Sequence, residues 1–258
     1  MRIATWNINS VRTRVTRAVD MLHSHDLDVL CLQETKVADD KFPTQDFVDA
    51  GYHVACHGLN QWNGVAIISR DPLSDIQTSF PEQPGFAKDP DKPQKLEARA
   101  LGARIRGVEI WSLYVPNGRE ITDRHYDYKL QFLYSLSRYA HARAQSKLLL
   151  VGDFNIAPRD KDVWDRSYFE GKTHVTPKER AALSKLEEAG LTQATSLIED
   201  EYTYWDYQAL RFQKGEGIRI DLQYVRGITA TDARVDRDER KGKGASDHAP
   251  VIVDYETN

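Results

Sequence analysis

The sequence predicts an α/β domain built on two sheets. Short apolar runs alternate with segments of helical period, the pattern of an α/β chain. Two runs, 27–33 and 148–151, are apolar almost throughout, as strands covered on both faces are. No Ser/Gly-rich linker and no short-period repeat divides the 258 residues, so a single domain spanning 1–258 is expected. A chain of this length buries roughly 70–75% of its unfolded surface, enough for a substantial core.

Residues 2–8 read as the first strand. Val11, Val15, Val19 and Leu22 then recur about every four positions and predict an amphipathic helix. The run 27–33 is the second strand. Residues 52–57 and 64–69 pair as strands around the turn-rich 58–64 segment. Five prolines and many charges make 71–95 a long surface loop. Segments 98–105 and 109–115 form a hairpin about Arg106-Gly107. Tyr126, Leu130, Leu133, Leu136 and Ala140 mark one face of a helix, and 148–151 is a buried strand. Thr176-Pro177-Lys178-Glu179 is a capping box with Pro at the first helical position; that helix runs to about Ala189 and Gly190 closes it. Residues 218–225 and 250–255 are the last strands.

Composition removes several classes. The 35 Lys and Arg against 39 Asp and Glu, at 29% charged, exclude both a disordered acidic chain and a polybasic tail. The net charge of −4 also weighs against avid, sequence-independent binding of nucleic acid. Two cysteines cannot form a disulfide framework or a structural zinc site, and Cys31 in Val29-Leu30-Cys31-Leu32 reads as a small core hydrophobe. No run approaches the roughly 18 apolar residues of a membrane span, and the first residues lack the apolar region of a signal peptide. A soluble, cytoplasmic protein is expected, with no membrane partner.

There is no Walker loop, Gly-x-Ser-x-Gly elbow, His-Glu-x-x-His pair or Gly-x-Gly-x-x-Gly segment opening a helix. What remains is a set of acids, amides and one histidine at strand ends. Asn7 and Asn9 follow the first strand, Glu34 the second, and Asp153 and Asn155 the 148–151 run. Asp221 lies inside the penultimate strand and Asp247-His248 immediately precedes the last. Singly, each has an ordinary reading as a strand-end cap, turn or surface dipeptide. Asp221 is harder to dismiss, because a carboxylate within Ile218-Arg219-Ile220-Asp221-Leu222 needs a partner. Strand ends of α/β proteins converge in space. Carboxylate and amide oxygens suit Mg²⁺ or Mn²⁺, which keep coordination positions for a phosphate. An Asp/His pair can orient and activate water. Together these describe metal-assisted phosphoester hydrolysis.

Seven segments, in order, are similar to motifs of one family. They are Thr5-Trp6-Asn7-Ile8-Asn9, Leu32-Gln33-Glu34-Thr35-Lys36, Tyr114-Val115-Pro116-Asn117-Gly118, Gly152-Asp153-Phe154-Asn155-Ile156-Ala157-Pro158, Tyr202-Thr203-Tyr204-Trp205-Asp206-Tyr207, Arg219-Ile220-Asp221 and Ser246-Asp247-His248-Ala249-Pro250. The chain thereby resembles the exodeoxyribonuclease III and class II apurinic/apyrimidinic endonuclease family, within the exonuclease–endonuclease–phosphatase superfamily. The resemblance implies a four-layer α/β sandwich, two mixed sheets face to face with helices outside. It also implies a Mg²⁺-dependent DNA-repair nuclease (Mn²⁺ as the alternative ion), working as a monomer. Its substrate would be duplex DNA with abasic sites or damaged 3′ ends, cut 5′ to the abasic site or trimmed from the 3′ end.

Carried over by motif, Glu34 would bind the metal, with Asn7 beside it and Asp153, Asn155, Asp247 and His248 completing its surroundings. Asp153 would orient or deprotonate the attacking water, and Asn155 and Tyr114 would contact the scissile phosphate. His248, held by Asp221, would stabilise the charged transition state; the pattern is compatible with either Asp153 or His248 as the base. Asn9, Arg12, Asn117 and Arg119 would grip the substrate, and Tyr204, Trp205, Ile218 and Ile220 would shape a pocket for a flipped-out abasic sugar. Arg14 and Arg17, beside Arg12, and the 240–244 loop complete an expected basic face. Glu34, Asp153, Asp221 and Asp247 account for a charge equal to the whole net −4, so the charge balance does not exclude DNA.

Four departures from the family pattern stand out. Gln208 replaces an Arg, Gly215 an Asn, Ala194-Thr195-Ser196-Leu197 an Asp-x-Phe-Arg segment, and Gln223-Tyr224 a more apolar pair. They are expected to touch the substrate rim, and so the balance of activities. The rival readings are a superfamily phosphoesterase for small or lipid phosphates, and a non-catalytic nucleic-acid-binding member. Against the second, Glu34, Asp153, Asn155, Asp221, Asp247 and His248 are all present.

Overall fold

The computed structural model describes residues 1–256. Its first half contains β1 (Arg2–Asn7), α1 (Val15–Ser24), β2 (Val29–Gln33), α2 (Thr44–Asp49), β3 (His53–His57), β4 (Val65–Ser69), β5 (Ser74–Gln77), β6 (Ala100–Ile105) and β7 (Val108–Tyr114). Its second half contains α3 (Arg124–Ala142), β8 (Leu148–Asp153), α4 (Pro177–Glu188), β9 (Thr192–Gln193), α5 (Arg211–Lys214), β10 (Asp221–Arg226), β11 (Thr229–Val235) and β12 (Val251–Glu256). Two six-stranded sheets result, ordered β11-β12-β1-β2-β4-β3 and β5-β6-β7-β8-β10-β9. Each is antiparallel except for one central parallel pair, β1 with β2 and β7 with β8.

The near-continuous apolar runs follow from this layering. Along β1 and β2, Ile3, Val29 and Cys31 face the other sheet, meeting Leu101, Ile110 and Val151. The alternate residues Ala4, Leu30 and Leu32 face α1 and α2 with Met21, Leu22 and Phe47. On the second sheet Trp111, Leu148 and Leu150 pack beneath Phe132 and Leu136 of α3 and Leu183 and Leu186 of α4. Both sheet faces are therefore covered, and the order is helices, sheet, sheet, helices. The Thr176 capping box forms as expected: its hydroxyl accepts from Glu179 N–H, and the Glu179 carboxylate accepts from Thr176 N–H. No helix among the described residues is long and apolar enough to cross a membrane.

Four expectations need correction. The 71–95 loop contains β5, an exposed edge strand on β6 whose polar composition hides its pairing. β11 was missing from the sequence reading because it is a half-exposed edge strand carrying charge. Strand β10 begins at Asp221, since Ile218 bridges instead to Tyr204 and Val163. Gln223 is no rim residue: it is fully buried between the sheets, donates to the carbonyls of Ile3 at 3.2 Å and Val251 at 3.1 Å, and accepts from the Tyr255 hydroxyl. Its amide ties one sheet to the other where an apolar pair would only pack.

Gly152, next to Asp153, has φ 151° and lies so close to β7 that an added Cβ would sit 1.9 Å from the Leu113 carbonyl oxygen. Because the clash is with backbone, no side-chain rotation relieves it. Gly152→Ala is expected to lower stability by about 1–3 kcal/mol in urea unfolding; an unchanged midpoint would show that β7 and β8 can separate freely here.

Candidate active site

The topology brings the chemical residues to one end of the sandwich. β1 and β2 run parallel and end at Asn7 and Gln33, so Glu34 follows directly. β7 and β8 run parallel and end in register at Tyr114 and Asp153. Antiparallel β10 starts there, with Asp221 opposite Asp153. His248 arrives from the segment before β12, whose Val251 pairs with Thr5.

Asp221 is fully buried and accepts a 2.8 Å hydrogen bond from His248 Nδ1. Thr203 fixes the carboxylate's backbone, its hydroxyl accepting from the N–H groups of both Ile220 and Asp221. The imidazole is held by its own main chain: His248 N–H donates to the Ser246 hydroxyl, and the His248 carbonyl accepts from the Trp6 indole. Nε2 points toward Asp153, 3.9 Å from its carboxylate. Burial alone would depress the imidazole, but the charge and hydrogen bond of Asp221, with Asp153 and Asp247 nearby, raise it to about 10. Burial pushes Asp153 up to about 7; His248 and Asn7 oppose that shift while Asp221 and Glu34 add to it.

Beside this pair lies an oxygen-rich cluster. Asn7 Nδ2 donates to Glu34 and to Asp153, both at 3.0 Å. The Tyr114 hydroxyl donates to Glu34 at 2.7 Å. Lys36 places its ammonium 2.8 Å from the other Glu34 oxygen and donates to Asn9 Oδ1 at 2.6 Å. Burial would raise the Glu34 carboxyl, yet Lys36, Asn7 and Tyr114 hold it below the usual carboxylate range. Asn9 Nδ2 in turn donates to Asp247 at 2.9 Å. Left-handed backbone recurs through the site, at Asn9, Glu34, Lys36 and Asn155 with φ between 46° and 55°. Such conformations are costly for non-glycine residues and persist where surrounding structure enforces them.

Two features bear on a metal. Asp153, Asp221 and His248 offer ligand atoms within 4.8 Å of one another, and the second Asp221 oxygen is buried without a hydrogen-bond partner. In the arrangement seen, His248 stands between the two carboxylates, bonded to Asp221 through Nδ1 and 3.9 Å from Asp153 through Nε2. The carboxylates of Glu34 and Asp153 and the amide oxygen of Asn7 are the kind of ligand a hard divalent cation takes, and here Glu34 is neutralised by the Lys36 ammonium instead.

Asn155 is locked in place. Its Nδ2 donates to the Val115 carbonyl at 3.0 Å and its Oδ1 accepts from Asn117 at 2.9 Å. Its own carbonyl accepts from Lys129 at 2.7 Å and from His174 Nδ1 at 2.6 Å. Lys129 is fully buried, and its ammonium also reaches the Asn117 carbonyl, Thr173 and Glu179. Lys129, Glu179 and His174 were absent from the sequence-based set. The available signal was position: Lys129 lies three residues past Tyr126 and four before Leu133, on the apolar face of α3.

A cavity of about 460 Å³ opens beside the site, lined by Arg119, Trp164, Tyr168, His174, Tyr204, Arg211 and Ile218 among others. The Tyr204 ring lies 4.8 Å from the His248 ring and joins the two regions. Of the expected pocket residues, Tyr204 and Ile218 line this cavity. Trp205 does not: it is fully buried on Phe212, with Gly217 so close that an added Cβ would lie 2.4 Å from the indole nitrogen. Ile220 packs with Ala157, Val163, Phe169 and Val175 in a small core.

The expected basic face is also smaller. Arg12 is exposed, as are Asn117 and Arg119. Arg14, however, donates to the carbonyls of Gly244 and Ala245, and Arg17 to Glu239 and the Lys241 carbonyl. Those arginines fasten the 240–244 loop, which Arg240 anchors by donating to the Trp205 carbonyl at 3.0 Å.

This fold and site define a class, the α/β-sandwich phosphoesterases. The sequence profile of the Endonuclease/Exonuclease/phosphatase family matches residues 4–248, and the chain belongs to that family. Within it the chain is similar to the exodeoxyribonuclease III of Haemophilus influenzae, 27% identical over 99% of this chain and 100% of the relative. It is also similar to the structure of a 3′ phosphatase from Neisseria bound to a product DNA hairpin, 33% identical, with a TM-score of 0.91 and 100% of each chain covered. The structure of an AP endonuclease from Archaeoglobus fulgidus gives 31% identity, a TM-score of 0.89 and the same coverage. The chain is thus a DNA-repair nuclease of the exodeoxyribonuclease III and AP endonuclease type, and metal dependence is typical of that family.

The Lys129–Glu179 pair gives a stability test. Burial would raise the Glu179 carboxyl from 4.5, but Lys129 and hydrogen bonds from Thr173 and His174 N–H hold it at about 2. A depressed carboxyl stabilises the fold fully above its ordinary range, and loses that contribution as pH falls through its folded value. Glu179→Gln, which leaves the buried Lys129 unpaired, is expected to cost about 3–5 kcal/mol at pH 7. The gap to wild type should shrink steadily toward pH 2 in urea unfolding; a pH-independent gap would contradict the pair's ionisation.

Proposed function

We propose that this chain hydrolyses phosphodiester bonds 5′ to abasic sites, removes nucleotides and blocking groups from 3′ ends of duplex DNA, or does both, with Mg²⁺ as the cofactor and Mn²⁺ as a chemically equivalent substitute. The observation that carries the reading is the buried Asp221–His248 pair, aimed at Asp153 from 3.9 Å beside the Glu34–Asn7 oxygen cluster. Glu34, Asn7 and Asp153 would hold the ion, with Asp247 acting through Asn9. A bound divalent ion supplies a Lewis acid for the phosphoryl oxygens and lowers the barrier to their charge build-up.

The residues divide the remaining work. Nδ1 of His248 is taken up by Asp221, and the charge of Asp221 with Asp153 and Asp247 raises the imidazole toward its protonated form, which suits it to donate rather than accept a proton. His248 therefore donates from Nε2 to a phosphate oxygen, and Asp153, fixed by Asn7 at 3.0 Å and facing Nε2 at 3.9 Å, is the base that orients and deprotonates water. The Tyr114 hydroxyl, once its single proton turns from Glu34 to the phosphate, and the remaining N–H of Asn155 supply further donors, with Asn117 fixing the Asn155 amide. Arg119 and the cavity wall of Tyr204 and Ile218 face the sugar and backbone of the DNA. The protein acts on intracellular DNA as a monomer and as one domain.

The test is an end-labelled duplex with a central abasic-site analogue, incubated with Mg²⁺ or with EDTA. Cleavage in Mg²⁺ alone is expected, and its ladder separates incision from 3′→5′ digestion. Asp153→Asn and His248→Ala should each lower turnover by about 10³-fold or more, with melting temperature and DNA binding retained. Near-normal rates in either variant would overturn the roles. Turnover of an inositol phosphate or sphingolipid with none on DNA would overturn the substrate.

A further inference from the structure

Tyr114 has a neighbour that the chemistry above does not use. Arg99, immediately before β6, is buried, with its guanidinium carbon 4.8 Å from the Tyr114 ring centroid and 5.8 Å from that of Tyr128. Its Nε lies 2.5 Å from the Glu97 carboxylate, and its Nη1 donates to the Tyr114 carbonyl at 3.4 Å. The main chains are joined as well, Tyr114 N–H donating to the Arg99 carbonyl at 2.8 Å. Tyr128 is backed by Phe86, stacked at 5.0 Å. One side chain thus braces the ring whose hydroxyl points at Glu34.

A buried guanidinium is expensive, and an apolar side chain would fill the same space without desolvating a charge. What the charge adds is its effect on the ring. A cation over an aromatic face is held by the ring's electron density and draws on it, which makes the attached O–H a stronger donor. The burial of Arg99 and its bonds to Glu97 and Tyr114 keep the guanidinium from serving as a surface grip for DNA. We infer that Arg99 is a positioning residue for Tyr114: it fixes the ring beside Glu34 and strengthens the hydroxyl as a hydrogen-bond donor to a phosphate oxygen. This rests on the nuclease reading above and on Tyr114 acting in it.

A double-mutant cycle on the abasic duplex at saturating Mg²⁺ tests it, with kcat, KM and melting temperature measured for wild type, Arg99→Met, Tyr114→Phe and the double variant. Arg99→Met should lower kcat about tenfold with KM within about twofold, and the same change in the Tyr114→Phe background should cost less than about twofold. Arg99→Lys, which keeps a cation over the ring, should recover part of the loss. Should Arg99→Met fail to fold, Arg99→Gln takes its place in the cycle, neutral but still able to donate to the Tyr114 carbonyl. Losses that multiply in the double variant would overturn the inference, as would an effect confined to KM with a weaker salt dependence, the sign of direct DNA contact. A wild-type protein that leaves the duplex intact overturns the nuclease reading and the inference together. Cleavage by wild type with a multiplicative cycle overturns the inference alone.

Discussion

The ion pair between Asp221 and His248 is the interaction around which the site is arranged. Asp221 is fully removed from water, where a carboxylate needs a hydrogen-bonding partner, and His248 Nδ1 supplies it at 2.8 Å. That requires two segments distant in sequence to meet with little freedom. Asp221 opens β10 in register with Asp153, and His248 is set by Ser246, the Trp6 indole and a bridge to Tyr204. With Nδ1 committed to Asp221, the only free edge of the ring faces Asp153. The pair thereby sets both a direction and a charge, and the remaining site residues are disposed around that edge.

Buried polar groups join the elements around the site. Lys129 collects the carbonyls of Asn117 and Asn155 together with Glu179 and Thr173, and so ties α3 to α4 and to the strand-end loops. Gln223 and Gln33 bond between the sheets, the latter to the Ser112 hydroxyl at 3.0 Å. Lys129 holds the left-handed Asn155 by its carbonyl. The Glu34 carbonyl accepts from Ser10 N–H at 2.8 Å, Lys36 N–H donates to the Asn63 carbonyl at 2.9 Å, and Asn9 N–H donates to Asn7 Oδ1, so the other left-handed residues are held by local bonds.

Much of this was legible in the sequence. Apolar runs and helical periods identify the central strands and α1, α3 and α4, because burial on both faces leaves a dense hydrophobic signal. Edge strands β5 and β11 left no such trace, since half of each faces water. The strand-end acids and amides, Asp221 and His248 among them, meet at one end of the sandwich; their motifs mark them because polar groups at buried strand ends are conspicuous. His174 and Arg99 were not legible, and Lys129 and Glu179 showed only as a cation on the apolar face of α3 and a capping-box residue. Their significance for the site lies in partners far along the chain. Arg14 and Arg17 show the converse: arginines beside the site, as a phosphate grip would be, are spent on holding a loop.

The division of roles between His248 and Asp153 depends on the charge of His248 in the folded, metal-free protein. Histidine-selective NMR following that ring across pH, in wild type and in Asp221→Asn, measures it directly. The wild-type ring should stay protonated through neutral pH and begin to titrate only toward about 10, while Asp221→Asn, with burial then unopposed by its nearest charge, should shift the titration well down. A wild-type His248 that loses its proton near 6.5 would contradict that division, because a neutral imidazole would not leave the base to Asp153.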